Sequence, residues 1–384
     1  MATVYNVLAP GPVNLHPQVQ EALALPMIHH RTPEFDQILK RVLESLKKIF
    51  QTKEACFISS STGSGGMEAL LVNVLQKGDR VLGIDSGKFG ERWCEMAEVY
   101  GAKVNRMKIE WGKAVTVDQV GAHLMKYPDT KIVMCQACET STGVVHPIEE
   151  LGHLLSDRPD ILLLVDGITA LGAIPLPMDK WHIDGLVGGS QKAFMLPTGL
   201  SLFSFSKKAW KKIERNATPR YYFDVRKERT ANEKGETFFS SNVTLIRALD
   251  VVLNLIAETG FENLLGQIEK RARFTRKFAQ KLGMPLFAAT PSNSLTAVQV
   301  PHGMDGQKIR QLLEGKYHTT IMGGQDQAKG RILRIGHMGY IQPEQMIQLM
   351  MDLGEILHAM NSFYGEPEKM QALRQEMQSF WEIE

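Results

Sequence analysis

Cysteine is scarce in this chain, with four residues among 384. So few in so long a chain cannot build a disulfide framework, so a reducing, cytoplasmic setting is the expectation. Cys135 and Cys138 form one C-x-x-C, but a zinc ribbon needs a second pair. A thioredoxin-like motif would open a helix, whereas Ile132-Val133-Met134-Cys135 reads as a strand, and no metal is expected. An excess of one charge is missing too. Lys and Arg total 44 against 42 Asp and Glu, for a net charge of +2. That balance offers nothing special to nucleic acid or an anionic membrane surface. No apolar run approaches the roughly 18 residues that span a bilayer. Met1 to Tyr5 lacks a basic segment followed by an apolar one, so no secretory signal is expected. Internal repeats and low-complexity linkers are also absent.

What is present is a rhythm. Hydrophobic residues make up 43% of the chain, ample for a large core. From about residue 54 to 205, short apolar runs alternate with helical patterns. The runs are 55–58, 80–84, 131–135, 161–165, 185–188 and 200–205, and the helices cover 67–75 and 91–100. Such alternation predicts a parallel sheet covered on both faces, with ligands at the carboxyl ends of its strands. Long helices are expected over 242–258 and 261–282. Strands at 296–300 and 331–335 with helices at 305–316 and 343–360 then suggest a smaller α+β body. In the tail, Met370, Leu373, Met377, Phe380 and Trp381 share one helical face that must pack on this chain or on a partner. The division expected is an N-terminal segment at 1–20, a large body at 21–258, a small C-terminal body at 259–365 and a helical extension at 366–384.

Within the large body, Asp166 ends an apolar strand and Lys192 follows in a turn of small residues, Gly188-Gly189-Ser190-Gln191-Lys192. An acid and a lysine so placed suit pyridoxal phosphate. The lysine amine can form a Schiff base with its aldehyde. The carboxylate can hold a proton on the pyridine nitrogen, making the ring an electron sink. Thr62-Gly63-Ser64-Gly65-Gly66 joins a strand to a helix. Its glycines and free helix amides can cradle a phosphate, and it lacks the Lys-Ser/Thr of a Walker loop. Phe89, after another strand end, can stack on a planar ring. The hydroxyls of Thr140-Ser141-Thr142 can reach a cofactor oxygen or simply stabilise a turn. Arg334 alternates with Leu333 and Ile335, and its planar fork fits a carboxylate, either a substrate's or one within the protein. Taken singly, each of these residues also has a plain structural reading, as a solvated lysine, a core aromatic or a turn hydroxyl.

Together these pieces occur in the order that a pyridoxal-phosphate enzyme of the aspartate-aminotransferase fold requires. The chain resembles the class V aminotransferases, close to the alanine–glyoxylate and serine–pyruvate group. The resemblance is carried by Pro10-Gly11-Pro12-Val13-Asn14-Leu15, Met67 to Leu75, Glu139-Thr140-Ser141-Thr142-Gly143-Val144 and Leu163-Leu164-Val165-Asp166. Gly189-Ser190-Gln191-Lys192-Ala193, Ile321-Met322-Gly323-Gly324 and Leu333-Arg334-Ile335-Gly336 complete it, to about residue 360. It implies a type I fold: an α/β body with a mostly parallel seven-stranded sheet, and a smaller α+β C-terminal domain.

By that resemblance, pyridoxal 5'-phosphate is the cofactor and Thr62, Gly63, Ser64 and Gln191 hold its phosphate. Phe89 stacks on the ring, Thr140 lies near the phenolic oxygen and Asp166 meets the pyridine nitrogen. Lys192 carries the Schiff base and, once freed, moves the substrate proton. Arg334 takes the substrate carboxylate, and Gly11 lies on the substrate side. The resemblance also implies a homodimer with shared active sites, in which Phe239-Ser240-Ser241-Asn242 reaches the neighbouring subunit's phosphate. Asn242 can serve there, but Phe239 lacks the hydroxyl that a tyrosine would bring. His30 and Arg31, in the loop before the helix near Pro33, resemble the pair that grips substrate phosphate in phosphoserine aminotransferases. The other reading makes them a helix-entry feature. The expected activity transfers an amino group from alanine or serine to glyoxylate or pyruvate. Alternatives are a phosphoserine aminotransferase and a lyase of the cysteine desulfurase type. The lyase is disfavoured by Gln191 in place of a histidine and by the lack of any cysteine after Cys138.

Overall fold

The computed structural model describes residues 4–360 and 365–383. Met1 to Thr3 of the N-terminal reading and Glu384 of the extension lie outside the described residues, as do 361–364. The central sheet has seven strands, in the order Cys56–Ser59, Ser201–Phe205, Gly185–Gly189, Leu162–Asp166, Thr130–Gln136, Arg80–Asp85 and Lys103–Lys108. Every residue of Leu162–Asp166 and Gly185–Gly189 is buried, as helices on both sheet faces require.

Two features depart from the simple alternation. Ser201–Phe205 runs antiparallel to both neighbours. The link from Gly189 to Ser201 contains no helix, and a connection that short returns the chain only in the opposite direction. Lys103–Lys108 pairs parallel with Arg80–Asp85 at the sheet edge. Its sequence, Lys-Val-Asn-Arg-Met-Lys, carries no apolar run because an edge strand is half exposed.

The second body holds an antiparallel sheet of Leu295–Gln299, Ile332–Gly336 and Met322–Gly323. Helices Phe261–Lys281, Gly306–Tyr317 and Pro343–Ala359 pack around it. The N-terminal segment joins this body, since Asn6 and Val7 pair parallel with Thr319 and Thr320. So does the tail. Helix Pro367–Ile383 buries Met370, Met377 and Phe380 in the same core as Phe274, Phe278, Leu353 and Leu357, with Leu373 and Trp381 half buried. The tail's apolar face therefore packs on its own chain. No described helix is long and apolar enough to cross a membrane.

Candidate active site

The sheet brings five strand ends to one edge. Thr130–Gln136, Leu162–Asp166 and Gly185–Gly189 are parallel, with Gln136 opposite Asp166 and Asp166 opposite Val187. Arg80–Asp85 runs the same way, as does Cys56–Ser59, being two antiparallel pairings removed from Gly185–Gly189. The segments leaving these ends carry Thr62, Phe89, Thr140, Asp166 and Lys192. Parallel strands thus gather residues more than a hundred positions apart.

Lys192 is held by the turn after Gly185–Gly189. Ser190 Oγ donates to Pro197 O at 2.7 Å and accepts from Leu200 N at 3.1 Å, while Met195 N donates to Lys192 O at 3.0 Å. The Lys192 side chain is buried, and its Nζ donates to Pro10 O at 2.6 Å. Burial lowers its ammonium to about 8, with Asp166 and Cys138 opposing the shift. Gly11, at φ +115°, lies directly against it. A Cβ there would stand 2.5 Å from Lys192 Cδ and 2.6 Å from Nζ, so any side chain would have to displace the lysine end as well as adopt a φ that favours glycine. Asp166, only 5% exposed, accepts from Ile168 N at 2.9 Å. Burial pushes its carboxyl up to about 7; Glu139 adds to the rise, and the Ile168 amide, Lys192 and Arg92 oppose it.

The turn before helix Gly63–Val74 is built to receive an anion. Thr62 occupies the N-cap position without making a capping hydrogen bond, so neither its hydroxyl nor the first helix amides are used up in a cap. Gly63 sits on Ile168, where a Cβ would come within 2.6 Å of Cδ1. The same Ile168 packs under Gly189 and donates its amide to Asp166, so cradle and acid share one support. Across the turn, Gln191 Oε1 is buried without a partner among the described residues. An uncapped helix start and a buried lysine with no carboxylate contact among the described residues fit the cofactor that these residues imply.

Glu139 is the organiser that the sequence reading passed over. It is fully buried. Its carboxylate accepts from Phe89 N at 3.2 Å, Gly90 N at 3.0 Å, Ser141 N at 3.1 Å and Ser141 Oγ at 2.5 Å. Ser141 Oγ in turn accepts from Lys88 N at 3.0 Å. Helix Lys88–Val99 has Gly87 at its N-cap, with no side chain to cap it, so Glu139, just beyond strand Thr130–Gln136, does so. Burial raises its carboxyl, and the four hydrogen bonds hold it back. Phe89 and Ser141 are thereby tied to one carboxylate, with Thr140 between Glu139 and Ser141 in the chain. Thr140 Oγ1 also meets Thr169 Oγ1 at 2.6 Å. A signal existed in the sequence, since an acid directly before three hydroxyl residues at a strand end is out of place in a core.

Arg334 reaches the same edge from the second body. It is 6% exposed and donates only to carbonyls, with Nε to Gly323 O and Nη1 to Thr140 O, each at 2.9 Å. Among the described residues it has no ion pair, so the internal salt bridge weighed as its alternative role is absent. Burial lowers it to about 10, which leaves it charged at neutral pH.

Three expected residues stand elsewhere in the single chain. Arg31 pairs with Glu236 at 2.7 Å, the two being 36% and 46% exposed, and His30 packs on His29. Asn242 caps its own helix, Val243–Thr259, accepting from Leu245 N at 3.1 Å, while its N–H donates to Ser60 Oγ at 3.1 Å. Among the described residues no hydrogen bond or ion pair joins these three to the Lys192 cluster.

The family model described as aminotransferase class-V matches residues 16–345. The L-aspartate–glyoxylate aminotransferase of Paracoccus denitrificans is 34% identical over 346 residues, covering 88% of this chain and 87% of that protein. The soluble hydrogenase 42 kDa subunit of Anabaena cylindrica is also 34% identical, over 355 residues, with 91% and 92% covered. Among solved structures, the alanine–glyoxylate aminotransferase of Nostoc sp. superposes with a TM-score of 0.89 at 29% identity, covering 93% of this chain and 96% of that one.

Proposed function

The chain belongs to the class-V aminotransferases, which use pyridoxal 5'-phosphate, and from that premise we propose that it moves the amino group of alanine or serine to glyoxylate or pyruvate. The observation that carries the reading is Lys192, buried beside Gly11 and one strand over from Asp166. The glyoxylate enzymes among the relatives support a small acceptor. The hydrogenase name stays with the Anabaena protein, because function is argued from the site and not from the fold.

The residue roles form part of the proposal. Lys192 anchors the cofactor covalently. Its freed amine would take the proton from the donor α-carbon and return it on the other side of the C–N bond. With its ammonium lowered to about 8, more of the free amine is present near neutrality than for an ordinary lysine. The cofactor supplies a ring that accepts the electrons of the broken Cα–H bond. Asp166 keeps that ring's nitrogen protonated, and a cation beside it would return its carboxyl toward the ordinary range. Thr62, Gly63, Ser64 and Gln191 hold the phosphate, Phe89 covers the ring, and Thr140 orients the phenolic edge. Arg334 grips the donor carboxylate with the N–H groups it does not spend on Gly323 and Thr140.

A phosphorylated donor is less well served. Its grip would need Arg31, which already holds Glu236. A desulfurase-type lyase would need a reactive thiol, whereas all four cysteines are buried and burial raises each of them. The division at 1–20, 21–258, 259–365 and 366–384 is retained as a proposal; separate cores support the boundary between the two bodies, while the start of the N-terminal segment and the extension share the second body's core. We place the protein in the cytoplasm as a homodimer. Tyr221, Tyr222 and Phe238 support the dimer: they cluster on Phe239 while 72%, 45% and 39% exposed.

The test is a half-reaction screen. Loaded enzyme is mixed with single amino acids, and the cofactor's absorbance is followed. Alanine or serine should shift the band, and glyoxylate or pyruvate should restore it. A shift with phosphoserine alone would overturn the proposed donor.

A further inference from the structure

Phe89 and Arg92 lie three residues apart on helix Lys88–Val99 and so share a face. The Arg92 guanidinium covers the Phe89 ring at 5.0 Å from its centroid. Its Nη1 also donates to Ser64 Oγ at 3.3 Å. Arg92 is half buried and forms no ion pair among the described residues. The other charges placed at this edge already have roles, since Glu139 caps a helix, Asp166 and Lys192 serve the cofactor, and Arg334 serves the substrate. Arg92 has five N–H donors, and among the described residues one hydroxyl, that of Ser64, accepts from them.

The direction of that hydrogen bond is informative. A guanidinium only donates, so Ser64 Oγ accepts and keeps its own O–H to give away. Ser64 stands in the first turn of helix Gly63–Val74, beside the uncapped Thr62. An O–H in that first turn is available to an anion received at the helix start. We propose that Arg92 is a positioning residue for the cofactor: it orients the Ser64 hydroxyl toward the 5'-phosphate, sets a positive charge one hydroxyl behind it, and braces Phe89 with the same guanidinium. The inference rests on the reading of Thr62–Gly66 as the phosphate cradle. One residue thus couples the phosphate end of the site to its ring end. Its charge also reaches Asp166, where it favours the carboxylate.

The consequence is selectivity for phosphorylated over unphosphorylated cofactor. Apo-protein is titrated with pyridoxal 5'-phosphate and with pyridoxal, which has the aldehyde and ring but no phosphate. Intrinsic fluorescence gives the two dissociation constants without any turnover. In Arg92→Gln the preference for the phosphorylated form should fall about tenfold or more, the effect expected when a charge-assisted contact is lost. Arg92→Lys should lie between parent and Arg92→Gln, because an ammonium keeps the charge but cannot cover the ring and reach Ser64 together. If both ligands weaken equally, Arg92 merely braces Phe89 and the proposal is overturned. An unchanged pair of constants overturns it too. In a Ser64→Ala background Arg92→Gln should add little, and a full further tenfold there would refute the route through Ser64. Should Arg92→Gln not fold, Arg92→Lys decides, since a preference equal to the parent's sinks the idea. A parent with no preference for the phosphorylated form would instead sink the cradle reading itself.

Discussion

At the scale of single residues the site makes opposite demands on two buried charges. Lys192 must lose its proton more easily than a free lysine, and Asp166 must be ready to carry a full negative charge in a dry place. Burial does the first directly and opposes the second until a cation arrives. Lys192→Ala should therefore abolish nearly all turnover, and borohydride should fix the cofactor on Lys192 of the parent, as peptide mapping would reveal. An adduct on another lysine would refute the assignment. Asp166→Asn should retain the cofactor but lose orders of magnitude in rate, since an amide cannot hold the ring proton.

The same carboxyl predicts a pH effect on cofactor-free protein. Its folded pKa, about 7, lies above the unfolded 3.8. The folded state thus binds more protons between those values, and stability is lost as pH rises through that window. The apo-parent should melt progressively lower than apo-Asp166→Asn between about pH 4 and about pH 7. A constant gap across that range would refute the raised pKa. Arg334→Ala should weaken every donor by roughly 2–5 kcal/mol, or about 30-fold to several thousand-fold in kcat/KM. Arg31→Ala, by contrast, should leave the ratio of phosphoserine to alanine kcat/KM unchanged, because its guanidinium is already paired with Glu236.

At the scale of elements, the helix starting at Lys88 depends on Glu139, a residue 50 positions away from Phe89. Glu139→Ala would leave the Phe89, Gly90 and Ser141 amides buried without their acceptor. A loss of at least about 3 kcal/mol is expected, since each abandoned group costs roughly 1–3 kcal/mol. Chemical denaturation would measure it, and retention of parental stability would contradict the capping role. The tail helix makes a second test. Removing residues 366–384 strips Met370, Met377 and Phe380 from the second core, at roughly 1.5–3 kcal/mol per side chain. The truncated chain should melt markedly lower.

At the scale of the whole molecule, the edge proposed to bind cofactor and substrate is completed from several directions. Arg334 arrives from the second body, and Pro10 and Gly11 from the N-terminal segment stitched to that body. Movement between the bodies would therefore displace Arg334, the proposed carboxylate grip, and the lysine's neighbours together. Sedimentation should find a dimer, and Tyr221→Glu should shift it toward monomer with loss of activity. A fully active monomer would contradict the shared-site proposal.

Much of this was determined by sequence alone. Buried strands in a parallel sheet must be continuously apolar, so Leu162–Asp166 and Thr130–Gln136 were legible. Asp166 and Lys192 stood out because a charge beside such a run is expensive unless it is used. Lys103–Lys108 was not legible, because an edge strand can be polar. The reversed Ser201–Phe205 strand was not legible either, since an apolar run carries no direction. Only the tertiary structure decided that Glu139 caps a distant helix, that Arg92 bridges Phe89 and Ser64, and that Arg31 is spent on Glu236. Local patterns record what a residue must avoid, chiefly burial without compensation. Which partner compensates it depends on how the sheet and helices bring remote segments together.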